Sequence, residues 1–211
     1  MKKPDSIIFD MDGTLWDGLD IYVEAWNRGL KESKVDKSVS RDEIAGMMGW
    51  ERSKVLGQIL PEYDVIEQES IHKTVSKFTP VLLKEMDGML YEGVRAGLEK
   101  LAEKYTLFIV SNCAEGLIRH FMAWADIEEY ITDEVAHGIN SMPKNYNIKL
   151  LIEKYNLKNA VYVGDTQGDS EQSELANVPF VFLSYGFGLA EKFTLKFDDF
   201  NEFTEYFMAL E

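Results

Sequence analysis

Ile7-Ile8-Phe9-Asp10-Met11-Asp12-Gly13-Thr14-Leu15-Trp16 is the stretch on which the reading of the chain turns. Three consecutive apolar residues, two of them β-branched, read as a buried strand. Asp10 and Asp12 follow at i and i+2, where side chains leave an extended chain on the same side. Gly13 lets the backbone turn sharply right after them. Two ionised carboxylates at the end of a buried strand need compensation, because burying an unpaired charge is costly. A hard cation such as Mg²⁺, which takes oxygen ligands and keeps several waters, supplies it. On its own the pair reads equally well as solvated acids capping a helix. The rest of the chain decides between the two.

At 211 residues, 45% apolar and 12% aromatic, the chain fits one large domain or two modest ones with ample core. Lys and Arg number 22 against 37 Asp and Glu, a net charge of −15. Such a chain has no general attraction for nucleic acid or anionic membranes, so neither is expected as a partner. Cys113 is the only cysteine, which rules out an intrachain disulfide. No apolar run reaches membrane-spanning length, and Asp10 interrupts the only stretch that faintly mimics a signal peptide. A cytoplasmic protein, monomeric or weakly dimeric, is expected.

Beyond Trp16 the pattern is helical for about seventy residues, counted directly along the sequence. Ile21, Ala25, Trp26 and Leu30 repeat at helical spacing, and Ser40-Arg41-Asp42-Glu43 reads as a capping box. A further helix is expected over 52–60, stopped by Pro61; the segment 65–85 follows with no strand signal, and a turn is expected at Asp87-Gly88. From there strands and helices alternate. Strands are expected at 106–110, 135–139, 160–163 and 179–183, with helices at 94–104, 116–125, 147–155 and 200–210. That alternation predicts an α/β fold: a Rossmann-like parallel sheet flanked by helices, built from 1–17 and 88–211, with an inserted α-helical cap at 18–87.

Ligands of open parallel sheets sit beyond the carboxyl ends of the strands, so the residues leaving each strand are informative. The first strand leaves through Asp10 and Asp12. The strand at 106–110 leaves through Ser111-Asn112, followed by Ala114-Glu115-Gly116 opening a helix, a place that offers donors to an anion. The strand at 160–163 leaves through Gly164-Asp165-Thr166-Gln167-Gly168-Asp169. Between these, Pro143-Lys144 starts a helix and brings an ammonium. Four carboxylates, a hydroxyl, an amide and a lysine at strand ends describe a site for Mg²⁺ and phosphate.

In order and spacing these motifs resemble the haloacid dehalogenase superfamily of phosphohydrolases, in particular its phosphoglycolate phosphatase-like branch with a helical cap after the first motif. The resemblance implies Asp10 as nucleophile, forming an aspartyl-phosphate, and Asp12 as general acid and then general base. It implies Ser111 and Asn112 as phosphoryl contacts, and Lys144 as the cation offsetting charge on the nucleophile and the phosphoryl group. Mg²⁺ is implied at the Asp10 carboxylate, the Asp12 backbone carbonyl and Asp165, with Asp169 acting through water or orienting the direct ligands. The substrate implied is a small phosphorylated metabolite. Arg52, in Gly49-Trp50-Glu51-Arg52, stands where cap-bearing relatives read the leaving group. Thr14 favours hydrolysis over a phosphosugar mutase of the β-phosphoglucomutase type, in which Val or Ile is frequent there. That mutase, and a non-catalytic phosphometabolite-binding protein of the same fold, are the alternatives.

Two stretches depart from the branch: Tyr91-Glu92-Gly93-Val94 replaces a frequent Tyr-Pro-Gly-Val, and Asp17-Gly18 a frequent Asp-Ser or Asp-Thr. Cys113 reads as a packed neighbour, with no His or Lys beside it in sequence to lower its pKa. His72, His120 and His137 lack metal-ligand spacing, and Trp26, Trp50 and Trp124 read as packing residues.

Overall fold

The structure is a computed structural model that describes residues 1–86 and 88–211. Asp87, half of the expected turn and the expected last residue of the cap, lies outside the described residues. The chain forms two compact units: Met1–Trp16 with Leu90–Glu211, and Asp17–Met89.

The first unit is built on β1 (Ser6–Phe9); two short paired strands, β2 (Trp16–Asp17) and β3 (Met89–Leu90), span the points where the chain passes from one unit to the other and back. After them come α5 (Val94–Ala102), β4 (Thr106–Ser111), α6 (Leu117–Ala125), β5 (Asp133–Ala136), α7 (His137–Asn140) and α8 (Lys144–Tyr155). β6 (Ala160–Gly164), α9 (Gln167–Ala176), β7 (Phe180–Leu183), β8 (Leu195–Phe197) and α10 (Phe200–Ala209) complete it. The six-stranded sheet runs in the order β5-β4-β1-β6-β7-β8, every pairing parallel. β1 is central because Ile7, Ile8 and Phe9 are fully buried on both faces, as a run of apolar residues requires. Ile8 packs on one side with Phe108, Val110 and Tyr162 against Ile148 and Leu151 of α8. Phe9 faces the other side, where its ring lies 6.0 Å from Phe200 and 5.8 Å from Phe203 of α10. Helices therefore cover both faces of a parallel sheet.

Two expectations are corrected here. The strand expected at 135–139 occupies Asp133–Ala136, because His137–Asn140 coils into a short helix. A Cβ on Gly138 would lie 2.2 Å from the Glu115 amide nitrogen, so close passage of the chain beneath the 114–116 turn sets that break. The sheet also gains a sixth strand, Leu195–Phe197, at its edge. At three residues, alternately exposed, it is too short to carry a strand period.

The second unit holds α1 (Leu19–Glu32), α2 (Arg41–Ala45), α3 (Arg52–Ile59) and α4 (Val65–Glu85). α1 and α4 pack closely at Gly29, where a Cβ would lie 2.6 Å from the Val75 Cα. Ser40 caps α2 through the expected reciprocal box with Glu43, and Asp64 does the same for α4 with Glu67. None of the helices among the described residues is long and apolar enough to cross a membrane.

Candidate active site

Register determines which residues meet. Phe9 pairs with Ile109 of β4 and with Val163 of β6, so the chain beyond each strand emerges at one level. The Asp10 amide donates to the Val163 carbonyl at 2.8 Å, holding the first residue after β1 against β6. The next turn is tight: the amides of Thr14, Leu15 and Trp16 all point at the Met11 carbonyl, at 3.3, 2.9 and 3.2 Å. Gly13 makes that turn at φ 81°, and a Cβ there would lie 2.2 Å from Asp165 Oδ2. β6 therefore lies beside β1 in the sheet and brings Asp165 to the same end as Asp10.

Lys144, first residue of α8, is buried to 3% exposure. Its Nζ lies 3.0 Å from Asp10 Oδ1 and 2.6 Å from Asp169 Oδ1. The second contact is a hydrogen bond. The first is not aligned as one, and Asp10 Oδ1 is a buried oxygen that accepts no hydrogen bond. Asp169 is the third helical residue of α9 and caps it with Thr166: its Oδ2 accepts from the Thr166 amide at 3.1 Å and hydroxyl at 2.7 Å. Both Asp169 oxygens are thus engaged, one by the helix start and one by Lys144. Asp165 is fully buried; its Oδ2 accepts from the Phe187 amide at 2.7 Å and its Oδ1 faces the Thr14 hydroxyl at 3.4 Å.

Burial dominates the electrostatics. It pushes the Asp10 carboxyl up to about 7, with Asp169 and Asp12 adding to the rise and Lys144 opposing it. Burial, then Asp169 and Asp10, raise Asp165 far above the usual carboxylate range. Burial alone would pull the Lys144 ammonium down, but Asp10 and Asp169 together push it well above its ordinary value. Asp10, Asp165 and Asp169 can each present an oxygen such that the three lie within 4.8 Å of one another. A hard divalent cation fits this set: all donors are carboxylate oxygens, one is left without a hydrogen bond, and their repulsion is what such an ion relieves.

The sign of the Asp10 shift gives a prediction for the metal-free protein. A folded value of about 7 lies above the ordinary carboxylate value of about 3.9, so the folded chain keeps a proton that the unfolded chain releases. That contribution to stability is complete below about pH 4 and is lost as pH rises through about 7. Melting in EDTA should therefore fall for wild type relative to Asp10→Asn over that window. Parallel curves would contradict the environment described for Asp10.

Asp12 sits on the same turn, where its Oδ1 accepts from the Trp16 indole N–H at 3.0 Å. The indole is buried against Phe121 and Trp124, with centroids 5.1 and 5.8 Å away. Ser111 ends β4 and is buried, and Asn112 follows it, half-buried. Arg52 belongs to the helical unit, where it starts α3 and lies 3.4 Å from Glu69 across a half-exposed pair. Burial, then Asp12, push the Cys113 thiol far up, which disfavours the thiolate form.

Three contributors were not singled out from the sequence. Trp16 holds Asp12. Tyr162, fully buried in β6, donates to the Val110 carbonyl at 3.1 Å, and its ring lies 5.6 Å beneath Lys144 Nζ. The loop Tyr185-Gly186-Phe187-Gly188 covers Asp165. Its glycines after an apolar strand were the available signal, since closely approaching backbone demands them.

Comparison with known proteins follows the same lines. A phosphoglycolate phosphatase from Colwellia psychrerythraea is 24% identical over 223 residues, covering 96% of this chain and 96% of its own. Pyrophosphatase PpaX from Listeria innocua is 24% identical over 180 residues, covering 82% of this chain and 80% of its own. A haloacid dehalogenase-like family hydrolase from Streptococcus pneumoniae shares the fold at a TM-score of 0.85 and 20% identity, over 97% of this chain and 98% of that one. The sequence profile of haloacid dehalogenase-like hydrolases matches residues 7–183. That span begins in β1, ends with β7 and takes in every carboxylate gathered above, and the chain accordingly belongs to the haloacid dehalogenase-like hydrolase family.

Proposed function

We propose that this hydrolase is a Mg²⁺-dependent phosphatase of small phosphate monoesters, phosphoglycolate phosphatase-like, working through an aspartyl-phosphate, with the helical unit as its cap. The observation that carries the reading is the buried Asp10, 3.0 Å from the Lys144 ammonium yet with an Oδ1 that accepts no hydrogen bond. An Asp10 oxygen attacks phosphorus, the bond to the leaving oxygen breaks, and that oxygen takes a proton from Asp12. Water then attacks the same phosphorus, gives its proton to Asp12, and the bond to Asp10 breaks to return a carboxylate and free phosphate.

Ser111 and Asn112 donate to the phosphoryl oxygens, and Lys144 faces the negative charge that develops on them. Trp16 orients Asp12, while Asp169 orients Lys144. Asp10, Asp165 and the Asp12 carbonyl hold Mg²⁺, with Asp169 orienting that set; when bound, the ion cancels the repulsion between carboxylate and phosphate. The phosphoglycolate phosphatase and pyrophosphatase relatives support hydrolysis over the mutase alternative.

The test is inorganic phosphate release across a panel holding 2-phosphoglycolate, pyrophosphate, sugar phosphates and an aryl phosphate, each with Mg²⁺ and with EDTA. Mg²⁺-dependent release with a preferred small monoester is expected. No release from any of them would favour the binding-protein alternative. Within that panel, Arg52→Ala should raise KM for the preferred substrate several-fold and leave the aryl phosphate nearly unchanged, because the contact concerns the leaving group alone. Equal losses on all substrates would place Arg52 in the folding of the helical unit.

A further inference from the structure

We infer that Tyr185 is a positioning residue for the carboxylate site: it fastens the loop after β7 to the turn after β1, and the two together fix Asp165. The Tyr185 hydroxyl donates to the Thr14 carbonyl at 2.6 Å, joining residues 171 apart in sequence. Its ring packs on Tyr91 with centroids 4.7 Å apart, so the phenol cannot swing away without breaking that contact. One residue on, Gly186 passes so close that a Cβ would lie 2.3 Å from the Gly13 carbonyl oxygen and 2.4 Å from both Asp165 Cβ and Oδ2. Two residues on, the Phe187 amide holds Asp165 Oδ2 at 2.7 Å.

The turn after β1 closes on Asp165 from the other side, through Gly13 and the Thr14 hydroxyl. Asp165 is therefore wedged between two backbone segments with no room for a methyl group on either. The Tyr185–Thr14 bond sets their separation. Thr14 is fully buried, so its carbonyl cannot turn to water if the hydroxyl is removed, and the turn must shift instead. A shift of a few tenths of an ångström there changes the distance between Asp165 and Asp10, which is the quantity a divalent ion reads. Groups that orient metal ligands without touching the metal typically change affinity by about 10–100-fold when altered.

The inference rests on the proposed Mg²⁺ site, and its test separates the two. Wild type, Tyr185→Phe and Tyr105→Phe are stripped with EDTA, dialysed free of it, and titrated with MgCl₂ by calorimetry, with melting measured alongside. Tyr105 is the control, since its hydroxyl makes the same kind of bond, to the Phe207 carbonyl at 2.5 Å, at the start of β4, the opposite end of the sheet. The expected result is a Kd for Mg²⁺ raised about tenfold in Tyr185→Phe and unchanged in Tyr105→Phe, although both melt earlier. Wild-type affinity in Tyr185→Phe, equal weakening in both variants, or failure of Tyr185→Phe to fold would each overturn the inference and leave the metal site standing. A wild type that takes up no Mg²⁺ would overturn both.

Discussion

Asp10→Asn is expected to lower kcat more than a hundredfold, about 2.7 kcal/mol or more at the barrier, on every substrate the protein turns over. An amide is nearly isosteric with the carboxylate but is a very poor nucleophile. The fold should not suffer, because the substitution removes a charge that burial already penalises. At pH 8 in EDTA the variant should melt at or above the wild-type temperature. Retention of more than about one per cent of wild-type turnover would leave too little of the barrier to Asp10 for a covalent mechanism.

Lys144→Met carries the other large effect. The side chains are similar in length, so packing around Tyr162 and Asp169 changes little while the charge is lost. Asp10 and Asp169 are then buried without the cation that lies 3.0 and 2.6 Å from them. Breaking a buried ion pair by removing one partner typically costs about 3–5 kcal/mol, and that loss is expected for the metal-free protein near pH 8. Part of it should return at pH 5, where Asp10 takes up a proton, and part on adding Mg²⁺, which restores positive charge to the cluster. Turnover should be abolished under all these conditions. A variant as stable as wild type at pH 8 in EDTA would show that Lys144 does not compensate those carboxylates.

The parts of this site that were legible in the sequence are those that sit next to a strong local signal. Asp10 and Asp12 follow an uninterrupted apolar run, and Asp165 and Asp169 follow another. Parallel pairing of two such runs brings their ends together whatever the intervening chain does. Lys144 was legible because Pro143 marks a helix start and few other cations lie nearby. Tyr185, Trp16 and Tyr162 were not. Two of them act by a bond whose partner no local pattern designates: the Thr14 carbonyl lies 171 residues from Tyr185, and the Val110 carbonyl 52 residues from Tyr162. Trp16 bonds to Asp12 only four residues away, but its apolar ring reads from sequence as core packing and gives no sign of the indole N–H contact. Leu195–Phe197 escaped for a related reason, since an edge strand this short is stabilised by β7 beside it rather than by its own residues.

Asp169 shows where a motif underdetermines a role. Its spacing from Asp165 marks it as part of the carboxylate cluster, yet its oxygens are taken by Thr166 and Lys144. It can come near a cation and still act mainly by aiming the lysine. The helix start explains why an acid is favourable there: as the third helical residue it completes a capping box, and a negative charge suits a helix N-terminus.

The central claim is that phosphate passes through a bond to Asp10, and chemical trapping tests it most directly. An acyl phosphate on an aspartate is reduced by borohydride to homoserine, whereas a free carboxylate is not. Wild-type protein turning over its preferred substrate with Mg²⁺ would be quenched into borohydride, digested, and the peptide holding Asp10 and Asp12 sequenced by mass spectrometry. Homoserine at position 10, absent without substrate and absent in Asp10→Asn, is the predicted result. An unmodified Asp10 under conditions of rapid turnover, or homoserine at position 12 instead, would contradict it.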